Sequence, residues 1–156
     1  MTAALKSLFE NIIFLSTVTS LCVAQISKMV FYLFTTRKKV KFWDAIGTMI
    51  WRTGGMPSSH SAIVCSLATS TALKEGIASN FFIFSLVFTM VVLRDSLGVR
   101  RAAGMQAQAL NKLGKQLTEK SDFEFKSVKE IQGHSFLEVI IGALLGVLIA
   151  IIFNLL

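Results

Sequence analysis

The last segment of the chain, residues 134–156, constrains the fold more than any other stretch. After Glu138 it carries almost no polar side chain, and its length suits a helix that crosses a hydrocarbon core of about 30 Å. The whole chain of 156 residues is 53% hydrophobic and contains 13 phenylalanines, and its mean hydropathy is +0.64. Because soluble domains of this size are much less apolar, the sequence predicts one integral membrane domain over residues 1–156.

Three further apolar segments predict an all-α, polytopic membrane helix bundle with about four transmembrane helices. These segments cover about residues 8–34, 59–77 and 80–96. The segment 59–77 is rich in Ser, Thr and Ala, and small residues let helices approach closely in lipid, so we expect it at the centre of the bundle. Beyond the third span the helical pattern continues to about residue 111. A polar connection follows over about residues 112–132.

Basic residues predict the orientation in the membrane. The formal net charge is +7, and a basic run at residues 37–41 precedes a short amphipathic stretch at 42–51 that is typical of an interfacial helix. Four crossings would put this loop on the same side as the polar stretch after the third span. The positive-inside rule makes that side cytoplasmic. Such charge favours contact with anionic membrane lipids, and we expect no nucleic-acid partner.

A turn at residues 54–60, with the sequence Gly-Gly-Met-Pro-Ser-Ser-His, opens the second apolar segment. Glycine allows close backbone approach, proline suits the start of a helix, and Ser58 and Ser59 supply capping hydroxyls. Unpaired N–H groups at such a helix start can hold an anion such as phosphate. An ordinary capped turn has the same composition, but His60 adds an imidazole within the first turn.

A second histidine opens the last apolar segment. His134 and Glu138 are four residues apart, which predicts that they share one helical face. The carboxylate would then accept the N–H of the imidazole and leave the other ring nitrogen free to attack or to take a proton. Gly142 and Gly146 continue the same stripe, where we expect close helix packing.

Polar residues are unusually frequent after the third span. Paired arginines match phosphate geometry well, whereas solvated cytoplasmic charge is the simpler interpretation of any one of these residues. The polar residues of this stretch are Asp95, Arg100, Arg101, Gln106, Gln108 and Asn111. Lys28, in the first segment, either snorkels to the interface or points inward as a functional cation.

These patterns together predict phosphoryl transfer without an obligatory metal or cofactor. Cations and helix N–H groups would bind the phosphate oxygens, one histidine would attack phosphorus, and the other would protonate the departing oxygen. A site at the membrane surface suits an amphiphile whose head group reaches the polar cluster while its tail stays in the bilayer.

At these motifs the chain resembles the type-2 phosphatidic acid phosphatase superfamily, in particular its small divergent branch of bacterial and plastid membrane proteins. The similar segments are residues 54–62, 95–111 and 133–142, in the same order as in that branch. The resemblance implies a membrane phosphatase that hydrolyses a lipid or polyprenyl phosphate or diphosphate. It also implies a bacterial cytoplasmic or plastid membrane, with the site facing the cytoplasm or stroma.

The resemblance implies a role for each histidine. His134 would be the nucleophile that forms a phosphohistidine, His60 the general acid, and Glu138 the carboxylate that orients the nucleophile. Ser58 and Ser59 would help to cradle the phosphate.

The chain departs from the superfamily pattern in its cations. It has no Lys-x6-Arg-Pro motif before the turn, and Val128 stands where the superfamily has an arginine, although Ser127 matches. Arg100 and Arg101 are the first candidates to replace the missing cations, with Lys28 and Arg52 behind them.

Two other classes of function stay open at this point. Without the superfamily's cations, the chain could be a non-catalytic membrane protein that binds anionic lipids or acts as a scaffold. Alternatively, a divalent-metal site for transport or metal-assisted hydrolysis could form from His60, Asp95, His134 and Glu138. The sequence also leaves open whether the chain forms homo-oligomers.

Overall fold

The computed structural model of the chain is helical over most of the residues that it describes. Those residues are 2–35, 55–120, 123–130, 133 and 135–156. The helices are α1 (Thr2–Glu10), α2 (Ile12–Thr35), α3 (Ser59–Glu75), α4 (Asn80–Arg94), α5 (Arg100–Lys120) and α6 (Phe136–Leu155), with a π-helical turn at Asp95–Val99 between α4 and α5. This architecture confirms the all-α prediction.

Length and composition identify three membrane-spanning candidates in the described part of the chain. They are Ile12–Phe34, the continuous run Asn80–Lys120 and Phe136–Leu155. The protein is therefore a helical membrane bundle. Helix α3 has 17 residues, so its crossing of the membrane stays a prediction. The predicted interfacial helix at residues 42–51 lies outside the described residues.

Helix α3 lies at the centre of the bundle, where it contacts α2, α4 and α6. Its closest neighbour is α6, because two glycines of α6 remove the side chains that would separate the backbones. A Cβ atom on Gly142 would collide with the carbonyl oxygen of Ser58, and one on Gly146 would collide with that of Ala62. The predicted central position of this segment and the predicted packing role of both glycines are confirmed.

Side-chain hydrogen bonds tie α3 to each of its neighbours. The Ser20 hydroxyl of α2 donates to the carbonyl oxygen of Ala62 at 3.3 Å, and the Thr89 hydroxyl of α4 donates to that of Val64 at 3.0 Å. From α6, the Asn154 amide donates to the Ser70 hydroxyl at 2.9 Å. In lipid such bonds add to van der Waals packing, which is the main attraction between helices.

The first apolar segment differs from its prediction as one span over residues 8–34. It is divided at Asn11, whose side-chain oxygen accepts a hydrogen bond from the Phe14 amide at 3.2 Å. Asparagine is a favoured N-cap because its side chain satisfies an amide that the helix leaves unpaired. Residues 8–10 therefore belong to α1, and the span begins after the cap.

The polar connection predicted over residues 112–132 also differs, because α5 extends to Lys120. Residues 112–120 are mostly Lys, Leu, Gln and Glu, which are strong helix formers even when they are polar. Residues 123–130 then run without helix or strand, and we call them the strap. The prediction that the helix continues past the third span is confirmed.

Candidate functional site

The turn before α3 is built around Ser58. Gly55 has φ of +95°, a conformation that favours glycine, and Ser58 is the N-cap of α3. The Ser58 hydroxyl oxygen accepts hydrogen bonds from the Ser61 amide at 3.4 Å and from the Ser61 hydroxyl at 3.0 Å. Ser58 and Ser59 are buried, whereas His60 is exposed in the first turn of α3. The predicted capped helix start is therefore present.

A backbone hydrogen bond joins this turn to α6. The Ser58 amide donates to the carbonyl oxygen of Glu138 at 3.0 Å. The first turns of α3 and α6 consequently meet, and both present their N-terminal ends, which carry positive partial charge, in the same region. No sequence pattern indicates this pairing, since the two residues lie far apart in the chain.

A capped helix start fixes the position of Glu138. Helix α6 begins at Phe136 with Ser135 as its N-cap, and the pairing of Glu138 with His134 stays a prediction. A capping box causes this start: the Glu138 carboxylate accepts from the Ser135 amide at 2.9 Å, and the Ser135 hydroxyl accepts from the Glu138 amide at 3.3 Å. The Ser-x-x-Glu spacing is the sequence signal for it. His134 itself lies outside the described residues.

Lys28 approaches the turn from α2. Its side chain runs along Gly55, where a Cβ atom would lie 3.5 Å from Cε and 3.6 Å from Cγ of the lysine. The Glu138 carboxylate is near enough to attract the Lys28 ammonium group. Lys28 thus faces inward, beside the turn whose N–H groups could hold an anion. The inward orientation is one of the two that the sequence left open, and a functional role for the cation stays a prediction.

The start of α5 meets the chain just before α6. A Cβ atom on Gly133 would lie 2.5 Å from the backbone nitrogen and Cα of Arg101. Helix α5 therefore begins beside Gly133, the residue that precedes the predicted nucleophile in the sequence. The Arg101 side chain is exposed. The side chain of Arg100 and the whole of Arg52 lie outside the described part of the structure.

The other polar residues that were named after the third span lie in different environments. Asp95 is half-buried at the start of the π-helical turn, whereas Gln106 and Gln108 are exposed on α5. Asn111 is buried against the strap: its amide donates to the Val128 carbonyl oxygen at 2.8 Å and to the Glu130 carboxylate at 2.9 Å. Its side-chain oxygen accepts from the Val128 amide at 2.8 Å. The Asn111 side chain therefore positions the strap.

The π-helical turn is a feature that the sequence did not indicate. Such turns are rare and occur frequently at functional sites. Here the turn contacts α6 as well as its two flanking helices, and Ser96 within it is buried. The turn lies where the apolar helix α4 becomes the polar helix α5.

Fold and site together define a helical membrane protein with a polar cluster at one end of its bundle. We call the residues Lys28, Gly55, Ser58 and Glu138 the turn cluster. Its helix N-termini and its lysine favour an anion. The metal alternative includes His134, which the structure does not describe, so it stays a prediction.

Comparison with known proteins gives the family. The chain belongs to the Divergent PAP2 family, whose sequence pattern matches residues 9–149. It is similar to an uncharacterized membrane protein of Bacillus subtilis (strain 168), YuiD, with 36% identity over 93% of this chain and 95% of the relative. No solved structure matches the chain. The predicted resemblance is confirmed at the level of the family and of membrane location.

Proposed function

We propose that the chain is a membrane phosphatase that hydrolyses a lipid or polyprenyl phosphate or diphosphate through a phosphohistidine. The hydrogen bond between the Ser58 amide and the Glu138 carbonyl oxygen carries this proposal. It brings the turn that contains His60 to the helix that follows His134, and the family pattern needs both histidines at one phosphate.

In the proposed reaction a ring nitrogen of His134 attacks phosphorus while the bond from phosphorus to the leaving oxygen breaks. The His60 imidazolium gives its proton to that oxygen, so the lipid alcohol or lipid monophosphate leaves with its departing oxygen protonated. Water then attacks the phosphohistidine and passes a proton to His60. Inorganic phosphate departs, and both imidazoles return to their starting states.

Lys28 supplies a cation that the departures from the superfamily pattern would otherwise leave missing. It lies against Gly55, at the turn whose backbone would cradle the phosphate. Arg101, at the start of α5 beside Gly133, is the second candidate. Both would stabilise the charge that develops on the transferring phosphoryl group.

The proposal is tested by phosphate release from the purified protein in lipid discs. A panel of phosphatidic acid, polyprenyl phosphate and polyprenyl diphosphate covers the substrate class. His134→Ala should abolish turnover and the trapped phosphoenzyme, whereas His60→Ala should still form the phosphoenzyme from a substrate with an activated leaving group. Turnover that survives His134→Ala would refute the mechanism.

Lys28→Met isolates the cation, because methionine retains much of the length of the side chain without its charge. We expect kcat/KM to fall by about 100-fold, the lower range for loss of one preorganised electrostatic contact. Lys74→Met is the matched control, since Lys74 is exposed in the last turn of α3, at the other end of that helix. Equal activity of the two variants would remove Lys28 from the site.

A non-catalytic protein that binds anionic lipids is the second candidate. One observation favours it: the amide and the hydroxyl of Ser58 already have partners within the fold, so neither must meet a substrate. This candidate predicts that wild-type protein retains anionic lipid but releases no phosphate from any member of the panel.

The cytoplasmic location of the site is also a proposal, based on the positive-inside rule. The substitution Ser127→Cys in the strap shows on which side of the membrane the strap lies. Cys22 and Cys65 are replaced by alanine in the same protein. A membrane-impermeant thiol reagent applied to intact cells should leave it unlabelled until the membrane is permeabilised. Labelling in intact cells would reverse the orientation.

A further inference from the structure

Among the residues that the structure describes, the strap packs on one side of helix α5. On that side lie small or polar residues, and the strap packs on them. A Cβ atom on Gly114 would collide with the Phe125 ring. The side-chain amide of Asn111 donates to the Val128 carbonyl oxygen and accepts from the Val128 N–H. The strap therefore occupies one face of α5, and other positions on the helix are exposed in the described part of the chain.

The open surface includes a row of large apolar side chains. Leu110, Leu113 and Leu117 follow one another at spacings of three and four residues, which places them on one face of a helix. They are 47%, 57% and 53% exposed. We call this surface the leucine face. A helix that projects into water gains nothing from such a face, so it is expected to contact an apolar phase.

The charge of α5 distinguishes between a second protein copy and the lipid bilayer as the apolar phase that the leucine face contacts. The helix carries five basic side chains and one acidic one. At 100° per residue, Lys120 borders the leucine face, whereas Lys112 and Lys115 lie toward the opposite side. A second copy of α5 packed on this face would bring together two helices that each carry a net positive charge, whereas anionic headgroups would complement that charge.

We infer that the leucine face of α5 lies in the interfacial region of the bilayer that holds the protein, against anionic lipid. A basic, amphipathic helix of this kind typically buries its apolar face about 5–10 Å into the boundary between headgroups and acyl chains. Helix α5 continues from the apolar helix α4 through the π-helical turn, so it starts at the membrane. This inference is independent of the proposed function.

An environment-sensitive fluorophore placed on α5 tests the inference. Leu113→Cys labels the leucine face, and Gln108→Cys, exposed on another side of the same helix, is the matched control; Cys22 and Cys65 are replaced by alanine in both. The labelled full-length proteins are reconstituted into vesicles of zwitterionic lipid with and without phosphatidylglycerol. Nitroxide lipids labelled near the glycerol level serve as the quencher.

The label at position 113 should emit at shorter wavelength than the label at 108 and should lose most of its emission to the nitroxide lipid. Both effects should be larger in the vesicles that contain phosphatidylglycerol. A water-like spectrum at position 113 in both types of vesicle would overturn the inference. Efficient disulfide formation between Leu113→Cys protomers at low protein-to-lipid ratio would assign the face to a second copy and would also overturn it.

Discussion

Helices α3 and α4 follow each other in the chain and differ in almost every property that decides burial. Helix α3 is made largely of Ser, Ala and Thr, and most of its buried positions hold these small residues. Helix α4 is rich in Phe, Val and Leu, yet Phe81 and Phe84 are 72% and 74% exposed. In this protein the small, partly polar helix is inside and the large apolar helix is outside.

The difference between α3 and α4 shows that burial in this bundle follows side-chain size. Lipid tails solvate phenylalanine as well as a protein core does, so apolarity alone does not drive a helix inward. Close packing of helix backbones favours an inward position. It requires small residues such as those of α3 and the glycines of α6. Substitutions that alter size should therefore cost more than substitutions that alter polarity.

Gly146→Ala should have the largest effect, because the added methyl group would meet the backbone of Ala62 in α3. Backbone atoms cannot rotate away, so we expect a loss of about 3 kcal/mol in the free energy of unfolding, the upper part of the range for overpacking. Reversible denaturation of the protein in mixed micelles measures it. Gly98→Ala is the control, since a Cβ atom there meets nothing within 4 Å. Equal stability of both variants would contradict the packing of α3 against α6.

Ser66 separates size from polarity at one buried position of α3. Its hydroxyl has no hydrogen-bond partner among the described residues, so Ser66→Ala should leave the free energy of unfolding unchanged or slightly higher. Ser66→Leu should lower it by about 2 kcal/mol, because the position is closely packed. The same denaturation experiment compares the two variants. Greater damage from alanine than from leucine would show that the hydroxyl matters more than its volume.

Asn154→Leu should have a smaller effect, because it removes one interhelical hydrogen bond and keeps a side chain of similar size. The lost bond joins the Asn154 amide to the Ser70 hydroxyl, and bonds of this kind contribute on average about 0.6 kcal/mol in membranes. The double variant with Ser70→Ala completes a mutant cycle. Additive losses from the two single variants would mean that the bond contributes nothing.

Phe84→Ala should have the smallest effect on stability, although it removes the most apolar surface. The ring faces outward on α4, where lipid or detergent solvates it in the folded and unfolded states alike. We expect a change within about 0.5 kcal/mol, as for other exposed positions. A loss near that of Gly146→Ala would reveal that another protein surface covers α4.

Several elements of the fold were predictable because their signals are local. The apolar run after Glu138 predicted α6, the Pro-Ser-Ser sequence predicted the start of α3, and the glycines at 142 and 146 predicted close packing. The capping box at Ser135 is equally local, and its signal is the Ser-x-x-Glu spacing. The division at Asn11 also has a local signal, since the charged Glu10 stands directly before it.

The candidate site was predictable only as a set of residues. Ser58, Glu138 and Lys28 were all named from the sequence, yet Lys28 ranked behind the arginines because nothing local relates it to Gly55. Asn111 was named as a supporting polar residue, and the structure adds that its amide holds the strap. Hydrogen-bonding partners of a polar side chain depend on which distant backbone passes within reach.

The sequence by itself determined the class of protein and its family, because hydropathy, helix-start patterns and family motifs are properties of contiguous residues. The small residues of α3 also predicted its central position. Only the tertiary structure decided that Ser58 donates to the Glu138 backbone and that Lys28 lies along the Gly55 turn. The reason is steric. Small residues permit the close approach of α3 to α6, and that approach selects which distant groups meet.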